Sequence, residues 1–361
     1  MEDLIKEQLS AVYLLIRHFG PLEEAEIDVS RITLFIGPNG SGKSYTAMAL
    51  YAILRTLARG RAADRQEVVR VLRRVFASDL QTLINTGSQS AELSARIGGY
   101  LVDIKWHRGG DTRVDIKGEG RVPPPVYLPA ARSGIMQWYP IFASIYFHLA
   151  DDLPPGVVPL IRQALGPVSD FISMLFAAQS VARRPARQRK LYDVFVKHIG
   201  LETYFDGDKP VVEWEAGRSE VQLAPSGFAE LAPLGLFLRY GVIKKGSFVI
   251  WEEPEAHLHP EVVYKVGNLV VDLARRGVRL LLTTHSDVLL NALSNAVARG
   301  EVSPSHISAY LFERRGRGYV ATPLEVSEAG IPDDEFAKVQ EKLYREYISS
   351  IYAKEREKEI R

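Results

Sequence analysis

Ile32-Thr33-Leu34-Phe35-Ile36-Gly37-Pro38-Asn39-Gly40-Ser41-Gly42-Lys43-Ser44 is the stretch on which the reading of the fold turns. Five uncharged, mostly β-prone residues run into a glycine loop. The next fifteen residues, Lys43 to Leu57, contain no Pro or Gly and many apolar side chains. The pattern predicts a buried strand, a tight loop and a mostly buried helix, in that order.

The loop fits G-x-x-x-x-G-K-S/T and has the strand-before, helix-after context that this motif needs. Gly37, Gly40 and Gly42 let the backbone of Gly37, Pro38, Asn39, Gly40, Ser41 and Gly42 wrap closely around phosphates with its N–H groups pointing inward. The helix N-terminus adds partial positive charge. Lys43 is expected to reach the β- and γ-phosphates of a nucleoside triphosphate, and the Ser44 hydroxyl to ligate its Mg2+.

Two further strand ends carry chemistry. Phe248-Val249-Ile250-Trp251 is followed by Glu252-Glu253-Pro254-Glu255. Of two adjacent carboxylates beside a dication and a triphosphate, one can organise the metal and the next can take a proton from the attacking water. Glu252 is therefore the candidate metal residue and Glu253 the candidate base. Val278 to Thr284 predicts another buried strand ending in Thr284-His285-Ser286, which places His285 to sense the γ-phosphate.

Strands are also expected at 12–16, 25–29, 126–128, 211–215 and 221–223, with two more within 307–322. Alternation from Glu92 to Lys117, broken by Gly98-Gly99 and Gly109-Gly110, predicts an antiparallel meander. Helices are expected at 65–76, from 226, and at 261–275 and 287–298. Residues 134–205 are rich in Pro and poor in strand signals, which predicts an inserted helical lobe. The expected organisation is an ATPase-type core at 1–133 and 206–330 (meander at 92–117), the lobe at 134–205, and a C-terminal amphipathic helix at 331–361. Apolar strands alternating with helices make the fold class α/β with a mainly parallel sheet.

Composition is consistent with a globular chain: 361 residues, 46% hydrophobic, with 45 basic against 44 acidic side chains. This balance names no nucleic acid or acidic membrane by itself. The absence of cysteine excludes disulfides and thiolate metal sites. The acidic N-terminus does not resemble a secretory signal, and apolar runs such as Ile141 to Leu149 are too short to span a bilayer, so no membrane insertion and a cytoplasmic location are expected.

Together the glycine loop, Glu252-Glu253-Pro254-Glu255-Ala256-His257-Leu258-His259-Pro260 and Thr284-His285-Ser286 resemble AAA-type ATPases with an ABC-class head. The chain looks like the ATPase domain of OLD-family proteins and, more distantly, RecF and SMC heads. Arg17-His18-Phe19-Gly20-Pro21-Leu22 and Tyr127-Leu128-Pro129-Ala130-Ala131-Arg132-Ser133-Gly134 are similar to the same group. The resemblance implies ATP and Mg2+ as ligands, ATP hydrolysis, and a homodimer with two ATP molecules sandwiched between subunits. It also implies that Ser226 and Gly227, in Pro225-Ser226-Gly227-Phe228, form a loop that caps the partner's γ-phosphate. Read alone, Ser226 is a good helix N-cap.

The chain departs from that group in several places. Glu252 stands where an aspartate is usual, and the loop at Ser226 has one glycine instead of two. The transporter glutamine is missing, with Arg132 as its candidate replacement. No long coiled coil is read in the sequence, and with one helix read after 325 no TOPRIM nuclease domain is expected. His257-x-His259 with His285 is a weak zinc pattern. Arg183, Arg184, Arg187, Arg189 and Lys190, with Arg70, Arg73 and Arg74, are candidate contacts to DNA or RNA phosphates or else a solvated basic face. Trp138, Tyr139, Tyr146 and Phe147 read as core. His18 and Phe19 are candidate adenine neighbours. Three functions compete: an ATPase serving repair or defence with a separate nuclease or effector subunit, a non-hydrolysing nucleotide-gated interaction module, and a transporter ATPase subunit.

Overall fold

A computed structural model describes residues 12–60, 64–147, 166–182 and 190–359. Fourteen strands are described. They are β1 (Val12–Phe19), β2 (Leu22–Val29), β3 (Ile32–Ile36), β4 (Ser90–Ile97), β5 (Tyr100–His107), β6 (Thr112–Gly118), β7 (Val126–Leu128), β8 (Leu201–Asp206), β9 (Lys209–Trp214), β10 (Gly217–Glu220), β11 (Phe248–Glu252), β12 (Arg279–Thr284), β13 (Ile307–Arg315) and β14 (Gly318–Leu324). Eleven of them form one sheet in the order β6-β5-β4-β1-β2-β14-β13-β3-β12-β11-β7, and β10-β9-β8 form a second.

The α/β class is as expected, but the large sheet is mixed where a mainly parallel one was expected. β13, β3, β12, β11 and β7 run parallel to one another and β2 runs parallel to β14, whereas β1 with β2, β1 with β4, β4 with β5, β5 with β6 and β13 with β14 pair antiparallel. The meander is not a separate sheet: β4 pairs with β1 from Val12↔Ile97 to Arg17↔Glu92 and so extends the main sheet. Single-sequence alternation shows that the meander strands are half-buried, but not which long-range edge they extend.

The helices are α1 (Lys43–Leu57), α2 (Arg65–Phe76), α3 (Arg132–Phe147), α4 (Pro167–Ala182), α5 (Lys190–Ile199), α6 (Ser226–Arg239), α7 (Pro260–Arg275), α8 (Asp287–Ala298) and α9 (Asp334–Glu359). None of the described helices is long and apolar enough to cross a membrane. Two expectations fail locally. Val221–Leu223 is a short 3-10 turn rather than a strand, and the stretch expected to be wholly helical to 205 ends in β8, paired with β9. A three-residue apolar run does not by itself distinguish a turn from a strand, and Leu201 to Phe205 needed β9 as a partner to show its state.

Two apolar cores lie on the two faces of the sheet. Ile32, Leu34 and Ile36 of β3 join one core while Phe35 joins the other; Val249 and Trp251 of β11 oppose Phe248 and Ile250 in the same way. Burial on both faces explains why these strands read as unbroken apolar runs. Helix α1 covers one face with eleven of its fifteen residues buried; α6, α7 and α8 contribute to the core on the other face. Each fully buried Leu or Phe in these layers contributes about 2 kcal/mol. The parallel order brings the C-terminal ends of β3, β11 and β12 side by side, the place where α/β sheets bind ligands.

Candidate active site

The glycine loop leaves β3 with Gly37 at φ 141° and enters α1 through Gly42 at φ 101°. Both positions also exclude a side chain. A Cβ on Gly37 would lie 2.5 Å from the Phe312 carbonyl oxygen, and one on Gly42 would lie 2.6 Å from Leu22 Cδ2. Gly40, at φ 76°, meets nothing within 4 Å and is required only for its conformation. Gly42 is the N-cap and has no side chain to cap α1, so the N-terminal N–H groups of the helix face the loop.

Lys43 is buried, and its ammonium donates to the carbonyls of Gly37 at 2.9 Å and Pro38 at 2.8 Å. Burial pushes its pKa down to about 8, against the opposing pull of Glu253, Glu255 and Glu252. The Ser41 hydroxyl is buried with no protein partner among the described residues.

Glu252, the last residue of β11, is buried, and burial raises its pKa despite stabilisation of the carboxylate by the Ser44 and Tyr127 hydroxyls. Its Oε1 has no hydrogen-bond partner among the described residues. A serine hydroxyl beside a carboxylate with a free buried oxygen is a donor set that fits Mg2+, which takes one or two protein oxygens and completes its shell with phosphates and water. No group of three or more His, Asp or Glu side chains that could hold a metal occurs among the described residues. At the weak zinc pattern, the His259 ring accepts from the Glu261 N–H and caps α7.

Glu253 follows with φ 42°, a left-handed backbone unusual for a non-glycine residue. Its N–H is fixed by the Thr283 carbonyl at 2.9 Å. Its carboxylate is partly exposed, and Oε1 stands 3.9 Å from His285 Nε2. Burial and the Lys43 ammonium lower the His285 pKa, so the imidazole is neutral at neutral pH. Lys43, Ser44, Glu252, Glu253 and His285 are thus brought together at three adjacent strand ends, as the motif order required.

Ser226 and Gly227 lie elsewhere. Ser226 is the first residue of α6, and Pro225, not Ser226, occupies the cap. Ser226 is exposed, and a Cβ on Gly227 would lie 3.1 Å from the His257 carbonyl oxygen. The start of α6 therefore packs on the loop that follows Glu253 in the same chain.

Other candidates change on inspection. Phe19 is fully buried against Tyr45, Phe76 and Trp106, which removes it as an adenine neighbour. Trp138 is exposed where core was expected, whereas Tyr139 is buried; the side chains of Tyr146 and Phe147 lie outside the described residues. Arg70, Arg73 and Arg74 are paired with Glu67, Asp79 and Asp170. Arg183, Arg184, Arg187 and Arg189 lie outside the described residues. Arg132 is buried, and its guanidinium is directed at main-chain carbonyls and Glu230, so it does not fill the place of the missing glutamine.

Sequence reading missed Glu255. It is mostly buried, its pKa is raised by burial, and its Oε1 accepts from the Thr284 hydroxyl and the His285 N–H. The carboxylate three residues after Glu252 was visible in the sequence, but its partners belong to another strand.

Comparison with known proteins supports the same architecture. Residues 12–99 match the family described as "AAA ATPase domain", and residues 175–291 match that described as "AAA domain, putative AbiEii toxin, Type IV TA system". No curated protein matches the sequence. Among solved structures, an SmcHead bound to the C-winged helix domain of ScpA superposes with a TM-score of 0.57 at 14% identity, covering 89% of this chain and 99% of that one. The Smc head with an extended coiled coil, bound to the C-terminal domain of ScpA and derived from Pyrococcus furiosus, gives 0.51 at 15%, covering 93% and 99%. A Smc head with a coiled coil and joint from Pyrococcus yayanosii gives 0.51 at 10%, covering 93% and 99%. Two segments of the chain are thus similar to AAA-type ATPase domains, and its fold is similar to that of the SMC heads.

Proposed function

We propose that this chain hydrolyses ATP with Mg2+ as an ABC-class head, and that it does so as a dimer closed around nucleotide. The observation that carries the reading is the unpartnered Glu252 Oε1 beside Ser44, with Glu253 and His285 at the adjoining strand ends. The loop N–H groups and Lys43 bind the phosphates. Ser44 and Glu252 hold the metal, which when bound neutralises charge on the β- and γ-oxygens. Glu253 takes the proton of the attacking water as its oxygen bonds to the γ-phosphorus and the bond to ADP breaks. His285, close to Glu253, donates to the γ-phosphate.

The dimer is supported by the position of Ser226 and Gly227. Ser226 is exposed at the start of α6, and the half-buried Gly227 beside it packs against His257 and Leu258 in the loop after Glu253. In the dimer they cap the partner's γ-phosphate with the helix dipole behind them. Two of the similar SMC heads are bound to ScpA domains, which supports a polypeptide partner for this head. A role in nucleic-acid repair or defence, in the cytoplasm and with a separate effector, rests on the sequence resemblance. Arg70, Arg73 and Arg74 are paired with acidic residues, which lowers the positive charge that α2 offers such a partner.

The test is steady-state hydrolysis by Glu253→Gln, with light scattering in ATP and Mg2+. Loss of turnover with accumulation of an ATP-bound dimer is expected. Undiminished turnover removes Glu253 from its role, and a monomer at saturating ATP removes the dimer. ATP binding by the parent chain with no turnover at all would favour the nucleotide-gated module.

A further inference from the structure

Against the main chain of Glu252 and Glu253 lies a buried charged pair that the mechanism above leaves unused. Arg132, at the start of α3, and Glu230, on the second turn of α6, are almost completely buried, with Nε and Oε2 3.5 Å apart. The rest of the guanidinium is spent on main chain. Nη1 donates to the Pro129 carbonyl at 2.6 Å and to the carbonyl of Glu252, and Nη2 donates to the carbonyl of Glu253 at 3.0 Å. The Trp251 ring lies 5.7 Å from the guanidinium carbon. Glu230 also accepts from the Ser133 N–H at 2.8 Å, which ties it to the first turn of α3.

Such a pair is a costly choice for stability alone. Apolar residues of similar volume often serve a core as well as a buried ion pair does. What the guanidinium does that an apolar group cannot is grip the two peptide units on either side of the left-handed Glu253. That backbone conformation persists only where its surroundings over-determine it. The Glu253 N–H is held from one side by Thr283, and its carbonyl from the other side by Arg132. The anchor of Arg132 is four residues beyond Ser226 on the same helix.

We propose that Arg132 is a positioning residue: anchored by Glu230 on the helix that opens with Ser226-Gly227, it sets the main chain of Glu253 and so transmits the seating of that helix to the water-activating carboxylate. The inference rests on the assignment of Glu253 as the base. Its chemical content is that Arg132 acts on turnover through Glu253 and not on nucleotide binding, since none of its partners belongs to the glycine loop.

The test is a double-mutant cycle on single-turnover hydrolysis, with ATP affinity measured by titration of a fluorescent ATP analogue and Mg2+. Arg132→Lys keeps the charge but loses the fork. It is expected to slow turnover about 30-fold while affinity changes less than about twofold. In a Glu253→Gln background, followed over hours with labelled ATP, the same substitution is expected to slow the residual rate less than about threefold, because the group it positions is already gone. A further full 30-fold loss in that background overturns the inference, as does an unchanged rate in folded Arg132→Lys. If Glu253→Gln alone turns over like the parent, the base assignment fails first, and that result is distinct from additivity. If Arg132→Lys does not fold, Glu230→Gln, which keeps an acceptor for Ser133 and removes only the charge, is read by the same cycle. Failure of both to fold makes the pair a purely structural element and overturns the proposal.

Discussion

The backbone N–H of His285 donates to Glu255 Oε1 at 2.6 Å, so a carboxylate from the loop after β11 fixes the first residue beyond β12. The same oxygen takes the Thr284 hydroxyl at 2.8 Å. Truncation to Glu255→Ala frees both donors and lets the His285 loop relax. Turnover is expected to fall about 10- to 100-fold with the KM for ATP little changed, since the group acts on the reacting end of the nucleotide. Glu255→Gln keeps an acceptor oxygen and should be much milder. Steady-state kinetics on the two variants check this; equal rates for Glu255→Ala and the parent would remove the brace.

Lys43 offers a second test. With its pKa pushed down to about 8, its ammonium is partly deprotonated in alkaline buffer, and the triphosphate charge raises that pKa on binding. The sign follows directly. Well below pH 8 the lysine is already charged and binding takes up no proton. Above pH 8 binding takes up a proton, so affinity weakens as pH rises through that value. Calorimetry at about pH 8.5 in buffers of different ionisation enthalpy should show net uptake. Identical heats in every buffer would mean that Lys43 stays charged throughout. Lys43→Ala should abolish binding at any pH.

Burial raises the pKa of Glu252, and a metal needs it ionised. Magnesium must therefore displace a proton on the acid side, and the concentration for half-activation should climb as pH falls, starting above the ordinary carboxylate range. Activation curves between about pH 5 and 8 test the slope. Glu252→Gln should flatten the curve and raise the requirement at least about tenfold. A requirement that does not vary with pH in the parent would take Glu252 away from the metal.

Two of the loop glycines should differ in stability effect. Gly37→Ala combines φ 141° with a Cβ 2.5 Å from the Phe312 carbonyl and should destabilise by about 2–4 kcal/mol. Gly40→Ala has open space and should cost only about 1–2 kcal/mol for its left-handed backbone. Urea denaturation of each variant compares them, and equal losses would show that the contact with Phe312 is relieved cheaply.

The parts of the site that were legible in the sequence were those encoded locally. Gly37 to Ser44 specify their own loop, and strand ends at Glu252 and Thr284 announce themselves by an apolar run stopping at polar residues. Placing Lys43, Ser44, Glu252, Glu253 and His285 together needed only the rule that parallel strands share one functional end. What was not legible depends on partners distant in sequence. Arg132 offers itself as a stand-in for the missing glutamine until Glu230, ninety-eight residues on, is beside it. Glu255 has no role assigned to it until His285 bonds to it. The edge that the meander extends, and the three-stranded sheet at β8, are likewise matters of pairing that alternation alone leaves open.

Strand β3 is gripped from above and below, by Ile32, Leu34 and Ile36 in one core and by Phe35 in the other. A slide of the strand would open voids in two close-packed layers at once, each at about 24 cal/mol per Å3. The glycine loop thus hangs from a beam clamped on both sides and serves as the stationary part of the machine. Helix α6, by contrast, joins only one of the cores. Strand β3 therefore fixes the height of the glycine loop over the sheet, whereas a displacement of α6 would disturb the packing of one core alone.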